Sequence, residues 1–226
     1  DYVIFSNTNL DEFKDIWFYY FDLERDYGEI KKILSKDPVL KEAISFGHGI
    51  RILQQDPFET LISFIISANN RIPRIKKSIE MLSKKYGEFI GEYKGKDYYS
   101  FPKARAIANL SEKEVQECKV GFRAKYILNA SKIIDKNKIN IYNLKNVSTE
   151  EARKNLLLFS GVGPKVSDCI MLFSLQKYDA FPVDVWVKRV MEYFYLKQDT
   201  KLKDIQNFAQ AKFGEYAGFT QQYLFY

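Results

Sequence analysis

The segment that most constrains the fold of this chain is Gly161–Lys165, a glycine-rich turn between two helical patterns. Ser148 and Glu151 have the Ser-x-x-Glu spacing of a capping box, which predicts the start of a helix before this turn. The two glycines end that helix. The proline at position 164 then fixes φ at the first position of a second helix, predicted over Lys165–Leu175. The segment is therefore predicted to fold as helix, tight turn and helix.

A turn of this kind suits a phosphate ligand. Glycine has no Cβ, so the backbone can approach a partner closely, and the second helix begins with unpaired N–H groups at its positive end. The backbone at Gly161, Gly163 and Val166 is therefore predicted to contact phosphate.

Composition limits the classes of protein to which the chain can belong. With 226 residues, 46% of them hydrophobic, the chain can form one large domain or two small ones with a real core. No apolar run reaches the length of roughly 18–20 residues that a membrane span needs. The net charge of +6 and the sequence pI near 9.0 favour a polyanionic partner. The two cysteines, Cys118 and Cys169, are read as reduced thiols, and two are too few for a four-cysteine iron–sulfur cluster.

The rest of the chain has mainly helical periodicity. Asp56 and Pro57 predict the start of an apolar helix that runs through the core. Residues 74–86 predict an amphipathic helix whose lysines are read as a solvated face, and residues 88–100 are read as a loop. The expected fold is mainly α: a two-lobed bundle of about ten helices. Its predicted domains are a remnant of a β-rich N-terminal subdomain (1–10) and a helical domain (11–226), with one lobe at about 50–145 and the other formed by 11–49 with 146–226.

Two motifs carry a resemblance to a known family. The sequence Leu-x-x-Phe-Ser-Gly-Val-Gly-Pro-Lys-Val-x-Asp-Cys, at 156–169, is followed by Phe-Pro-Val-Asp-Val at 181–185. Together they resemble the helix-hairpin-helix/GPD superfamily of DNA base-excision glycosylases, and within it the 8-oxoguanine DNA glycosylase/AP lyase branch. In that family a β-rich subdomain precedes the helical domain, and the strand-like residues 1–6 match its last strand.

The resemblance assigns the catalytic roles to Lys165 and Asp184. It implies that Lys165 attacks C1′ of the damaged nucleotide, expels the base and forms a Schiff base that leads to strand cleavage. It implies that Asp184 stabilises the positive charge that develops at C1′. The residues alone leave other readings open: Lys165 as a phosphate-binding lysine, and Asp184 as a simple N-cap.

The same resemblance implies a pocket for the flipped-out base, formed by Cys169, Phe173, Gln221 and Phe225. In this arrangement Cys169 and Phe225 stack on the two faces of the base, and Gln221 reads its Watson–Crick edge. Without the resemblance, ordinary core packing explains each of these residues equally well.

A third implied set holds the base left behind in the opposite strand. Asn69 fills the gap, Arg74 and Arg123 read a cytosine, and Phe122 acts as a wedge beside them. Taken alone, the two asparagines at 69–70 indicate a turn and the arginines a surface position.

The function implied is that of a bifunctional base-excision repair enzyme that removes 8-oxoguanine opposite cytosine and nicks the strand by β-elimination. The partner is double-stranded DNA that contains oxidised guanine, with no membrane, and the protein is expected to be a monomer in the nucleoid of a bacterial-type cytoplasm. No redox cofactor is implied; a monovalent cation bound by the turn carbonyls is allowed. Two alternatives remain: a glycosylase for another, alkylated base, and a non-catalytic module that binds duplex DNA.

Overall fold

The structure, a computed structural model, describes residues 9–226 and is mainly helical, which confirms the predicted fold class. The strand expected at residues 1–6 lies outside the described residues. The α-helices are α1 Leu10–Glu12, α2 Phe18–Tyr20, α3 Tyr27–Leu34, α4 Pro38–Phe46, α5 Pro57–Ser67, α6 Ile72–Tyr86, α7 Ala104–Ala108, α8 Glu112–Gln116, α9 Ala124–Asp135, α10 Thr149–Leu156, α11 Pro164–Ser174, α12 Val185–Met191, α13 Leu202–Phe213 and α14 Ala217–Phe225. Shorter segments are π-helical at Phe13–Trp17 and Glu192–Leu196, and 3₁₀-helical at Gly121–Arg123, Ile141–Asn146 and Gly214–Tyr216. No helix of the described part is both long and apolar enough to cross a bilayer.

Local capping signals explain where several helices begin. The Asp56 side chain accepts a hydrogen bond of 2.9 Å from the Glu59 N–H, and Pro57 occupies the first turn of α5, as predicted. Ser111 and Glu114 form a complete capping box at the start of α8. A side-chain oxygen at the N-cap satisfies backbone N–H groups that have no partner inside the helix. These starts were therefore predictable from a few neighbouring residues.

Helix α5 runs through a core, as its apolar sequence predicts. Six of its eleven residues are buried, and it packs against α6 and α9. A helix that is hydrophobic on nearly all sides is expected to be buried in the core. The helix ends at the turn that contains Asn69, so the core fixes the position of that turn.

The loop predicted at residues 88–100 is in fact a β-hairpin. Strand β1, Phe89–Tyr93, pairs antiparallel with β2, Lys96–Tyr99. Lys94 and Gly95 form the two-residue turn, with φ of +52° and +74°. Positive φ at both positions is the type I′ geometry that matches the twist of paired strands. The prediction failed because lysine does not usually occupy such a position, so the turn signal was weak.

Two compact units make up the chain. Of the described residues, one unit comprises 9–55 and 171–226, and the other comprises 56–170. The predicted lobe boundary lay near residue 145, whereas α10 and the glycine turn fall in the unit of residues 56–170. Helix α11 supplies residues to both units. The predicted remnant at 1–10 stays a prediction.

A glycine fixes the start of α14 in the unit that contains the C-terminus. The Gly218 N–H donates a hydrogen bond of 2.6 Å to the Tyr178 carbonyl, and a Cβ at Gly218 would lie 2.9 Å from that same oxygen. Only glycine permits this approach of two backbones. The contact sets where α14, and with it Gln221, lies in this unit.

Candidate functional site

The turn between α10 and α11 has the conformation that its sequence predicts. Ser148 Oγ accepts a hydrogen bond of 3.2 Å from the Glu151 N–H at the start of α10. Gly161 has φ of +87°, and a Cβ there would lie 2.9 Å from Cδ2 of Tyr126. Gly161 is thus required by both backbone conformation and space. Gly163, in contrast, has open space where a Cβ would project.

A buried ion pair joins the two helices on either side of this turn. Arg153 on α10 donates from Nε at 3.1 Å and from Nη2 at 2.8 Å to Oδ1 of Asp168 on α11. The Asp168 side chain is fully buried, whereas 35% of the Arg153 side chain is exposed. Sequence reasoning missed this pair, although Asp168 lies inside the motif that carried the resemblance. The pair fixes α10 against α11 within the unit of residues 56–170.

Lys165 lies in the first turn of α11 and is half-buried. Its Nζ lies 5.3 Å from the centroid of the Phe64 ring, and no carboxylate of the described residues forms an ion pair with it. The amine therefore packs over an aromatic face and is held by no local counter-charge. Val166, its neighbour, is half-buried. Cys169 follows one helical turn later and is buried, with its sulfur in the reduced thiol form.

Asp184, in the other unit, is the N-cap of α12. Its Oδ1 accepts hydrogen bonds from the N–H groups of Trp186 at 2.9 Å and Val187 at 2.8 Å. Within residues 9–226 no hydrogen bond is made to Oδ2, and the side chain is half-buried. The N-cap reading is therefore correct, and it uses one carboxylate oxygen only. The second oxygen is available to act on a ligand.

Three of the residues predicted to form the base pocket belong to the same unit as Asp184. Gln221 is buried, and its Oε1 accepts a hydrogen bond of 2.5 Å from Nε2 of Gln222. Phe225 lies four residues later on α14, on the same helix face, and 54% of it is exposed. Phe173, near the end of α11, is half-buried. The exposure of Phe225 argues against plain core packing, whereas Cys169 and Gln221 are buried as core residues would be.

The set predicted for the opposite base is brought together in the unit of residues 56–170. Asn69 has φ of +49° in the turn after α5, a conformation that asparagine adopts more readily than most residues. Arg123 donates from Nη2 to the Asn69 carbonyl at 3.0 Å and from Nε to the Ala68 carbonyl at 3.0 Å, with a shorter contact from Nη2 to the same Ala68 oxygen. The Arg123 Cζ atom lies 4.5 Å from the centroid of the exposed Phe122 ring.

Arg123 itself differs from the surface residue that its sequence position suggests. Only 6% of it is exposed, and Nη1 donates to the Val120 carbonyl at 3.2 Å. Burial and the nearby charge of exposed Arg74 lower the pKa of Arg123. Most of its donors are thus used to hold the Asn69 turn. Its reading of a cytosine stays a prediction, as does a cation at the glycine turn.

Comparison with known proteins identifies the family of this chain. The family model for the N-terminal domain of 8-oxoguanine DNA glycosylase matches residues 2–61, and that of the HhH-GPD superfamily base excision DNA repair proteins matches residues 62–216. The structure of MBOgg1 in complex with a low-affinity DNA ligand is 56% identical, with a TM-score of 0.93, over 97% of this chain and 75% of that one. An 8-oxoguanine glycosylase/lyase of Clostridium acetobutylicum, solved with double-stranded DNA that has cytosine opposite 8-oxoguanine, is 55% identical, with a TM-score of 0.92, over 97% and 75% of the two chains.

A curated relative points to the same group. The probable N-glycosylase/DNA lyase of Methanothermobacter thermautotrophicus is 33% identical over 92% of this chain and 72% of its own length. The chain spans little more than half the length of two further N-glycosylase/DNA lyases, 55% of the Arabidopsis thaliana protein and 56% of the Saccharomyces cerevisiae protein. The chain therefore belongs to the 8-oxoguanine DNA glycosylase/AP lyase enzymes of the HhH-GPD superfamily.

Proposed function

We propose that this protein removes 8-oxoguanine from duplex DNA where it pairs with cytosine, and then nicks the strand at the resulting abasic site. The observation that carries the proposal is the Lys165 amine, in the first turn of α11 after the glycine turn, with no ion-pair partner among the described residues. The solved Clostridium acetobutylicum relative, 55% identical, is bound to DNA with this lesion pair, and this supports the choice of substrate.

Lys165 acts as the nucleophile. Its Nζ, after loss of a proton, forms a bond to C1′ while the bond from C1′ to the base breaks, and the base leaves with the electron pair and is protonated. Opening of the sugar ring gives a Schiff base between Nζ and C1′. Removal of a proton from C2′ then allows the C3′–O3′ bond to break. The strand on the 3′ side leaves with a 5′-phosphate end, and the unsaturated sugar stays on the other strand. Hydrolysis of the Schiff base frees the lysine.

Asp184 supplies electrostatic stabilisation. As the base departs, positive charge develops on the sugar at C1′, and a fixed carboxylate lowers the energy of that state. Two backbone N–H groups hold Oδ1 in place, and Oδ2 carries no hydrogen bond within the described residues. The carboxylate therefore needs no rearrangement at the moment of reaction.

Substrate recognition is divided between two sets of residues. Cys169, Phe173, Gln221 and Phe225 accept the flipped-out base, and the exposed aromatic surface of Phe225 is suited to stacking. On the opposite strand, Asn69, Arg74, Phe122 and Arg123 hold the cytosine. Backbone groups of Gly161, Gly163 and Val166 contact the phosphate.

Borohydride trapping tests the proposal. The parent protein is incubated with an 8-oxoguanine:cytosine duplex and sodium borohydride, which reduces a Schiff base to a stable covalent adduct. We expect an adduct that is absent with Lys165→Gln. The matched control is Lys154→Gln on α10, an exposed lysine that lies before the glycine turn and should leave the adduct unchanged.

Other outcomes would separate the alternatives. An adduct with an abasic duplex but none with 8-oxoguanine would retain the lyase and assign the glycosylase to another base, such as an alkylated purine. The absence of any adduct, with duplex affinity intact, would leave the non-catalytic binding module. An adduct that persists in Lys165→Gln would show that a different amine is the nucleophile.

A further inference from the structure

The β-hairpin that sequence reasoning missed creates a basic groove beside α6. The groove has a volume of about 830 Å³ and lies between one face of α6 and strand β2. Its lining includes four lysines and two acidic residues. The lysines are Lys76, Lys77, Lys84 and Lys96, and the acidic residues are Glu80 and Asp97. The sequence alone indicates that the α6 lysines form an ordinary solvated face. In the structure, strand β2 lies opposite this face and closes the groove.

The charges of the groove are unequally paired. Lys96 Nζ forms an ion pair of 2.6 Å with Glu80, and this hydrogen bond, with smaller effects of Lys84 and Lys77, lowers the pKa of Glu80. In the described residues Lys76, Lys77 and Lys84 have no carboxylate within ion-pair distance. An exposed cluster in which lysines outnumber carboxylates, and in which three lysines form no ion pair, favours the binding of a polyanion.

The groove continues the surface predicted to hold the base opposite the lesion. Lys77 follows Arg74 by three residues and Lys84 follows Lys77 by seven, so all three lie on one side of α6. At a rise of 1.5 Å per residue the line from Arg74 to Lys84 is roughly 15 Å long. Since successive phosphates of a strand advance about 3.4 Å along the duplex axis, such a line covers on the order of four base pairs.

We propose that the face of α6 formed by Lys76, Lys77 and Lys84, with Lys96 of strand β2 across the groove, binds the phosphate backbone of duplex DNA outside the lesion site. The choice of duplex DNA as the partner rests on the proposed function. The groove contributes affinity that is independent of sequence and of damage, because only phosphates are contacted. It does not take part in bond cleavage.

The salt dependence of binding to an undamaged duplex tests this surface. Fluorescence anisotropy gives Kd over a series of NaCl concentrations for the parent and for the double variant Lys77→Gln/Lys84→Gln. Each lost phosphate contact should reduce the slope of log Kd against log salt by about 0.9, so the double variant should lose roughly 1.8. The control, Lys132→Gln/Lys136→Gln, removes the same charge from exposed positions at the end of α9 that do not line the groove.

A second variant changes the affinity in the opposite direction. Glu80→Gln removes a carboxylate from the groove and releases Lys96 from its ion pair, so Kd should fall and the slope should become steeper. A misfolded protein would not bind more tightly, so this result cannot be an artefact of lost structure. Equal slopes for the parent, the double variant and Glu80→Gln would overturn the proposal and point to an acidic protein as the partner of the groove. Undamaged DNA needs no catalysis, so failure of borohydride trapping would leave this test valid.

Discussion

Replacing Arg153 with alanine should lower the free energy of unfolding of this protein by about 3 kcal/mol. The Asp168 side chain has no exposed surface, and its Oδ1 accepts two hydrogen bonds, of 2.8 and 3.1 Å, from the Arg153 guanidinium. Removal of one partner from a buried ion pair typically costs about 3–5 kcal/mol, because the other charge stays buried. We take the lower end of this range because 35% of the Arg153 side chain is in contact with solvent.

Replacement of the other partner of the ion pair should lower the free energy of unfolding by less. Asp168→Asn removes the buried charge and keeps an oxygen that can accept a hydrogen bond, while Arg153 can turn toward water. The expected loss is about 1–2 kcal/mol, the range for a weakened buried hydrogen bond. Urea unfolding measures both losses. Lys154→Ala on the exposed side of α10 is the control and should change stability by no more than about 0.5 kcal/mol.

The order of the two losses is the critical result. If Asp168→Asn destabilises the protein as much as Arg153→Ala does, the cost does not come from a buried carboxylate that has lost its ion pair with Arg153, and the reasoning is refuted. Asp168 lies three residues after Lys165 on α11. Loss of the ion pair should therefore also affect the position of Lys165. At a urea concentration at which Arg153→Ala is still folded, we expect its borohydride-trapped adduct with an abasic duplex to form more slowly than that of the parent.

Further predictions concern the glycine turn, the Asn69 turn and acid stability. Gly161→Ala places a Cβ 2.9 Å from the Tyr126 ring at φ of +87° and should cost about 1–3 kcal/mol in urea unfolding; an unchanged midpoint would contradict this. Arg123→Ala leaves the carbonyls of the turn without their donors. We expect a loss of about 2 kcal/mol in the free energy of unfolding. The preference for cytosine over adenine opposite the lesion, measured as the ratio of single-turnover rates, should also fall. An unchanged ratio would show that Arg123 does not recognise the opposite base. For Asp37, burial raises the pKa, but bonds from Lys212 and other donors outweigh it and hold the pKa below its usual range. The stability from this lowered pKa is present above the unfolded value near 3.9 and is lost as pH falls through the folded value, so Asp37→Asn should lose less stability than the parent between pH 5 and 3.

The helices and the central turn were predictable because their signals are local. Asp56 with Pro57, and Ser148 with Glu151, act over three residues, and the glycines of the central turn end a helix by themselves. The hairpin at residues 89–99 was missed because its turn places Lys94 at positive φ, where sequence statistics expect asparagine or glycine. A favourable strand register can impose a conformation that the residue alone would not select.

Contacts between distant parts of the sequence were beyond prediction. The resemblance pointed to Arg123, but it did not indicate that the guanidinium holds the carbonyls of Ala68 and Asn69, more than 50 residues earlier in the chain. Nor did any pattern indicate that Arg153 would meet Asp168. Such pairs depend on how helices pack, and a side chain's own neighbours in sequence carry no information about them.

The capping of α12 has a consequence for mutational tolerance. Asp184 is oriented by two main-chain N–H groups, those of residues 186 and 187, and every amino acid except proline provides such a donor. The side chains of Val185 and Trp186 are largely exposed and take no part in this orientation. Both positions can thus vary while the carboxylate keeps its direction. Substitutions at these two positions can therefore change contacts with the substrate without moving the Asp184 carboxylate.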